Sequence, residues 1–212
     1  MHTKSGNNIE VMGLFQGKII GDTFMVMDSF ALPVEASETR VRTTDEGQQY
    51  QIDHTEFCEQ INRPEYVFGW YHSHPGYGCW MSGIDVDNQR NLQRLGPFLA
   101  IVIDPYRTMS AGKVELGCFR TYSDAEIKIR EEKRNKGDDM SGPSVPIEKL
   151  AELGNHYHKY YQLEHQFVKS KNDDLLLNRL WNEYWLATLS SSPLLNNQRE
   201  ITNRVSDINL KI

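Results

Sequence analysis

Tyr66-Val67-Phe68-Gly69-Trp70-Tyr71-His72-Ser73-His74-Pro75-Gly76-Tyr77-Gly78-Cys79-Trp80-Met81-Ser82-Gly83-Ile84-Asp85 is the stretch that decides how this chain reads. Its opening run, through His72, is aromatic and β-branched, the composition of a buried strand. A Gly-rich loop follows, and a helix is predicted to start near Ser82. At the end of a strand, residues i and i+2 point to one face, so His72 and His74 can grip the same ion. The glycines let the chain fold back, and Asp85, in the first turn of the helix, can then supply an oxygen ligand. Protein ligands of the types His, His and Asp leave a position for water, the stoichiometry of a catalytic rather than a structural zinc site. Zn2+ held there would lower the pKa of that water to about 7.

Each part of this pattern has a plainer reading on its own. Ser82-x-x-Asp85 alone reads as a helix cap, with Ser as N-cap and an acid in the first turn. The chain also carries a second His-x-His, His156 and His158, which serves as a control. It falls in a predicted helix, where i and i+2 diverge by roughly 200°, so the two cannot share a metal. His156, His158, His165 and His54 are therefore read as structural or surface residues. Strand context, Gly-rich loop, Ser and Asp in fixed order set His72 and His74 apart.

Outward from this stretch, the pattern is that of an α/β domain. Val11 to Phe15 and Phe24 to Met27 are apolar runs separated by a Gly-containing turn, which predicts a hairpin continuing toward Phe30. Residues 35–64 form a polar insertion expected to carry a short helix around Tyr50 to Ile61. Phe98 to Pro105 reads as a buried strand ended by its proline, and Lys113 to Tyr122 as another. Residues 123–146 are charged and turn-rich, and are expected to be a solvated, flexible loop. Apolar residues at helical spacing predict helices over Ile147 to Ser170 and Asp173 to Leu189, the second anchored by Trp181 and Trp185. Ser192-Pro193 is a helix start. The last helix places Ile201, Val205, Ile208 and Ile212 on one stripe, a surface for partners.

Composition limits the alternatives. A chain of 212 residues supports one sizeable core rather than two. The net charge of −6 argues against nucleic acid as the main partner. No apolar run approaches the roughly 20 residues needed to cross a bilayer, so no membrane role is expected. The N-terminal residues lack the apolar core of a signal peptide, and the three cysteines are too few and odd in number for a disulfide framework. The expected location is a reducing one, cytoplasm and nucleus.

His72-Ser73-His74-Pro75, then Ser82 and Asp85 at their spacings, resemble the JAMM motif of the MPN-domain zinc metalloproteases. The family pattern also has an upstream glutamate, and Glu10 stands at that position. Gly69-Trp70-Tyr71, Gly83-Ile84-Asp85-Val86, Ala100 to Pro105, Ser110 to Val114 and Phe119 to Tyr122 resemble the signalosome-type catalytic subunits of the family. So does Trp181-Asn182-x-Tyr184-Trp185 with the Thr188 to Ser192 run.

The resemblance implies an MPN fold: a mixed, curved β-sheet flanked by helices, with helices extending at the C-terminus. It implies a metalloprotease domain over residues 1–189, with insertions near 35–64 and 123–146, and a C-terminal helix for subunit assembly over 190–212. It implies a hydrolase that cuts the isopeptide bond between a lysine of a cullin and a ubiquitin-like modifier, the deneddylation reaction. His72, His74 and Asp85 would bind zinc, Glu10 would move protons between the attacking water and the leaving amine, and Ser82 would donate to the developing oxyanion. The other signalosome subunits, a helical bundle and an MPN partner, are the expected partners. Glu38 would either reach the open zinc position and displace water or stand as a solvated loop acid. A proteasome-lid-type deubiquitinase and a non-catalytic MPN scaffold remain as rivals. Family members carry further helical sequence ahead of residue 1, so the chain is expected to be a fragment or a shortened form.

Overall fold

The computed structural model describes residues 1–36, 41–43, 45–135, 156–176 and 198–211. After a short helix α1 (His2–Ser5), its centre is a six-stranded sheet in the order β2 (Thr23–Ala31), β1 (Met12–Ile20), β5 (Tyr66–Ser73), β6 (Leu99–Ile103), β7 (Leu116–Thr121), β8 (Tyr160–Leu163). The hairpin expected from the first apolar runs is present: β1 (Met12–Ile20) and β2 (Thr23–Ala31) pair antiparallel around the turn at Gly21-Asp22. β5 (Tyr66–Ser73) lies antiparallel to β1 and parallel to β6 (Leu99–Ile103). A parallel pair needs a crossover, and helix α3 (Gly83–Leu95) supplies it. β7 (Leu116–Thr121) and β8 (Tyr160–Leu163) complete the mixed sheet, each antiparallel to its predecessor. This is the expected α/β architecture.

One irregularity fixes which way the site faces. In the β1–β5 ladder Phe15 pairs with Gly69 and Gln16 with Val67, so the ladder passes over Phe68. That bulge resets the alternation of the strand. Phe68 joins Phe15, Tyr71, Leu99 and Cys118 in one cluster, while Trp70 joins Met81, Val86, Ala100, Val102, Phe119 and Tyr160 in the other. Val86 belongs to α3, so Trp70 and the next residue on its face, His72, look toward that helix.

The first insertion holds a two-stranded ribbon, β3 (Val34–Ala36) with β4 (Val41–Thr43), and helix α2 (Asp45–Gln60), longer than the short helix expected. α2 rests on the sheet through Phe30 and His54, whose rings lie 4.0 Å apart. Glu38 lies outside the described residues.

Two expectations are overturned. Residues 124–135 of the second insertion are not loop but helix α5 (Asp124–Asn135). Its start is a reciprocal cap: Ser123 Oγ donates to Glu126 Oε2 at 2.7 Å and accepts from the Glu126 N–H at 3.3 Å. Ile127 anchors it in the core. Acids in its first turn and Lys133 and Arg134 in its last complement the helix dipole. Residues 136–146 lie outside the described residues.

The helix expected over 147–170 is, from 156 onward, a single 3-10 turn (Tyr157–Lys159) leading into β8. Pairing with β7 decides this. Tyr160 is buried against Phe119, ring to ring at 5.4 Å, and β8 covers an edge that β7 would otherwise expose. The helix expected from Asp173 is present and starts two residues earlier, its described part covering 171–176, while Trp181, Trp185, Ser192, Pro193 and Ile212 lie outside the described residues. The terminal helix α6 (Gln198–Lys211) forms as expected.

Candidate metal centre

The site is built where β5 ends. His72 is the penultimate residue of the strand and His74 follows Ser73 directly after it. Both are buried, 3% and 1% exposed. His74 is held in line by its own N–H, which donates to the Ile103 carbonyl of β6 at 2.9 Å. Ser73, between them, is tied both ways to Val11: its N–H donates to the Val11 carbonyl at 3.0 Å, and its Oγ accepts from the Val11 N–H at 2.9 Å. That clamp brings Glu10, itself buried, to the histidines.

The donor atoms converge. His72 Nε2 lies 3.0 Å from His74 Nε2 and 3.4 Å from Asp85 Oδ2. Ligands at 2.0–2.2 Å around tetrahedral zinc stand about 3.3 Å apart, so these two edges fit a common ion. Among the described residues, His72, His74 and Asp85 are the group able to hold a metal, with ligand atoms all within 4.8 Å of one another. His74 Nδ1 lies 3.0 Å from the Gly78 carbonyl oxygen. A carbonyl only accepts, so Nδ1 carries the proton and the Nε2 lone pair faces the site. His72 Nδ1 is buried without a hydrogen-bond partner among the described residues. Two buried imidazoles that turn nitrogens toward each other need a cation or a proton between them. The residues fit zinc.

The electrostatics agree. Burial alone would lower the His72 pKa, but the Asp85 carboxylate beside it and Glu10 beyond reverse this and raise it above 6.5. Burial alone would raise the Asp85 pKa, but His72, His74 and the Ser82 hydroxyl hold it well below the usual carboxylate range. In the metal-free chain a proton on His72 does part of what a metal cation would do. Cys79 stands apart from this group: burial pushes its thiol up to about 12, and Sγ donates to the Glu115 carbonyl at 3.5 Å.

Glu10 Oε1 lies 4.0 Å from His74 Nε2 and accepts a hydrogen bond from the Tyr77 hydroxyl. Ser82 is the N-cap of α3. Its Oγ accepts from the Asp85 N–H at 3.2 Å and donates to Asp85 Oδ2 at 2.7 Å, while its own N–H donates to the same oxygen at 2.8 Å. The cap reading of Ser82-x-x-Asp85 and the ligand reading are therefore one arrangement: the cap aims Asp85 at His72.

The structure thus brings together Glu10, His72, His74, Ser82 and Asp85. His156 and His158 stay out of the donor group, and for a different reason than helical divergence: His156 caps a 3-10 turn with its ring against Gly83 at the start of α3, and His158 lies within that turn. Sequence reasoning passed over three supporting residues. Tyr77 stacks on His74, ring centroids 4.5 Å apart, while reaching Glu10. Trp70 stacks under His72 at 4.9 Å and donates its indole N–H to Gln89 Oε1 at 2.8 Å. Gln89, wholly buried, also donates to the Phe98 carbonyl at 2.8 Å. The only signal for Gln89 was its place on α3, one turn past Asp85 on the inward stripe.

Fold and donor set define an α/β domain with a candidate mononuclear metal site. Residues 1–97 match the family described as JAB1/Mov34/MPN/PAD-1 ubiquitin protease. Over its whole length it is 50% identical to COP9 signalosome complex subunit 5b of Arabidopsis thaliana, covering 58% of that protein. It is 48% identical to COP9 signalosome complex subunit 5 of Caenorhabditis elegans and of Dictyostelium discoideum, again over the whole chain, covering 56% and 62% of those proteins. The chain therefore spans about three-fifths of the length of the curated relatives it matches. Among the described residues, no helix is long and apolar enough to cross a membrane.

Proposed function

We propose that this chain is a zinc-dependent isopeptidase that removes a ubiquitin-like modifier from cullins, acting as the catalytic subunit of a COP-nine signalosome in cytoplasm and nucleus. The observation that carries this reading is the convergence of His72, His74 and Asp85 beside the buried carboxylate of Glu10. Likeness to the signalosome subunit 5 proteins supports the assembly and, through it, the substrate class.

His72, His74 and Asp85 hold the ion. Zinc bound there supplies a Lewis acid and a water acidified to near neutral pH. Glu10 takes a proton from the attacking water and returns it to the leaving lysine amine, which its reach to the site allows. Tyr77, donating to Glu10, fixes the carboxylate in place. Ser82 turns its hydroxyl from Asp85 Oδ2 toward the substrate and donates to the oxyanion as it develops. Residues 1–189 act as the metalloprotease domain and 190–212 as an assembly helix. Val205 and Ile208, 52% and 56% exposed on α6, support docking of that helix among other subunits.

The test compares wild-type chain and Glu10→Gln, both zinc-loaded, on a cullin carrying its ubiquitin-like modifier and on ubiquitin chains. The expected result is cleavage of the cullin conjugate by the wild type and loss of it in Glu10→Gln with zinc retained. Preference for ubiquitin chains would favour a proteasome-lid-type deubiquitinase. Equal activity of the two proteins would remove Glu10 from the mechanism.

A further inference from the structure

The loop that orients His74 is itself held from the end of the neighbouring strand β6. Asp104 follows β6 and is wholly buried. Its Oδ1 accepts from the Gly76 N–H at 3.1 Å and from the Arg107 N–H at 2.9 Å, and its Oδ2 accepts from the Gly78 N–H at 2.8 Å. Gly76 and Gly78 have φ of +88° and +87°, a left-handed backbone that most side chains avoid. Such a backbone has little preference of its own for this path, so the carboxylate selects it.

Selection of that path has a chemical consequence. With its N–H on Asp104, Gly78 presents its carbonyl to His74 Nδ1. That bond puts the ring proton on Nδ1 and leaves Nε2 as the atom that meets His72 Nε2. We propose that Asp104 is a positioning residue for the metal centre, setting the tautomer and direction of His74 through the backbone of Gly78. It touches no ligand and acts only through the loop. The inference rests on the metal reading of His72, His74 and Asp85.

Asp104 is also the N-cap of α4 (Pro105–Ala111) and pairs with the Arg107 guanidinium, Nε to Oδ2 at 3.3 Å; the cap separates from the hold on the loop by substitution. Asp104→Ser retains an oxygen that can cap the Arg107 N–H but cannot reach Gly76 and Gly78. Thr108→Ala serves as the comparison: Thr108 Oγ1 accepts from the Glu115 N–H at 2.9 Å and donates to the Asp104 carbonyl at 2.7 Å, a bond to backbone alone. Two readouts apply to the full chain: zinc affinity by chelator competition, and the His74 ring nitrogens by NMR in metal-free protein.

Asp104→Ser is expected to weaken zinc binding about 10- to 100-fold, the usual effect of removing an outer partner. It should also convert His74 from the Nδ1–H form to a mixture of tautomers, while Thr108→Ala changes neither. Zinc affinity and tautomer both unchanged in Asp104→Ser overturn the proposal. Should that variant not fold, Asp104→Asn carries the test, because its amide sets a donor against the Gly78 N–H. A loss of about 10-fold is then expected, and unchanged affinity overturns the proposal. A wild-type chain that binds no zinc contradicts the metal reading instead, and the tautomer readout then decides Asp104 alone.

Discussion

Ser82 Oγ donates to Asp85 Oδ2 at 2.7 Å, and the Asp85 N–H donates back to Ser82 Oγ at 3.2 Å. One hydroxyl therefore both starts helix α3 and aims a metal ligand. Ser82→Ala should cost about 1 kcal/mol of stability from the lost cap. Turnover should fall much further, about 10²- to 10³-fold, if the hydroxyl also serves the oxyanion. Urea unfolding and steady-state cleavage measure the two. Turnover that falls only in step with the folded fraction would leave Ser82 as a cap and nothing more.

The His72–Asp85 pair gives the metal-free chain a pH-dependent stability. The His72 pKa is raised above 6.5 on folding, so its contribution is complete below 6.5 and is lost as pH rises through the higher folded value. The Asp85 pKa is lowered below 3.8, so its contribution is present above 3.8 and is lost as pH falls. The melting temperature of chelator-treated protein should therefore decline above pH 6.5, while that of zinc-loaded protein should not. The gain in melting temperature on adding zinc should widen over the same range. A metal-free profile as flat as that of His72→Ala would contradict the pairing.

Gln89 supports the centre from beneath. It accepts from the Trp70 indole and donates to Phe98 and Gln93, with no exposure to water. Gln89→Leu strands the Trp70 N–H and the Phe98 carbonyl, each orphan costing about 1–3 kcal/mol. At about 2–4 °C per kcal/mol for a chain of this size, the melting temperature should drop by several degrees. Thermal unfolding followed by Trp fluorescence reads this directly. A change of a degree or less would mean that the network does not hold Trp70.

Arg204 of α6 donates from Nη2 to the Gly76 carbonyl at 3.2 Å, across 128 residues of sequence. The terminal helix thus touches the loop that Asp104 shapes. Arg204→Ala should cost about 0.5–1.5 kcal/mol and speed amide exchange across 198–211, leaving zinc affinity intact. Exchange unchanged along α6 would show that the helix is held elsewhere.

The legible parts of this protein are those whose determinants lie close together in sequence. The β5–loop–α3 unit announces itself through an aromatic strand, glycines and a cap within a span of 30 residues from Tyr66 to Leu95, and the ligands fall inside it. Glu10 was legible only through family resemblance, because its place depends on the Ser73–Val11 clamp between strands. Asp104 was hidden for the same reason: it bonds Gly78 across 26 residues while looking like a strand-ending cap. β8 was misread as helix because its apolar spacing suits either form and pairing with β7 decides. Ser123-x-x-Glu126 is a local signal for helix α5, but the charged, turn-rich composition of 123–146 reads as a solvated loop.

The metal centre is tested most directly by the zinc content of the purified, metal-washed chain, compared with that of His74→Ala. About one zinc per wild-type chain and close to none in the variant are expected. Close to none in a folded wild-type sample, or equal content in the two, would contradict a metal centre built on His72, His74 and Asp85.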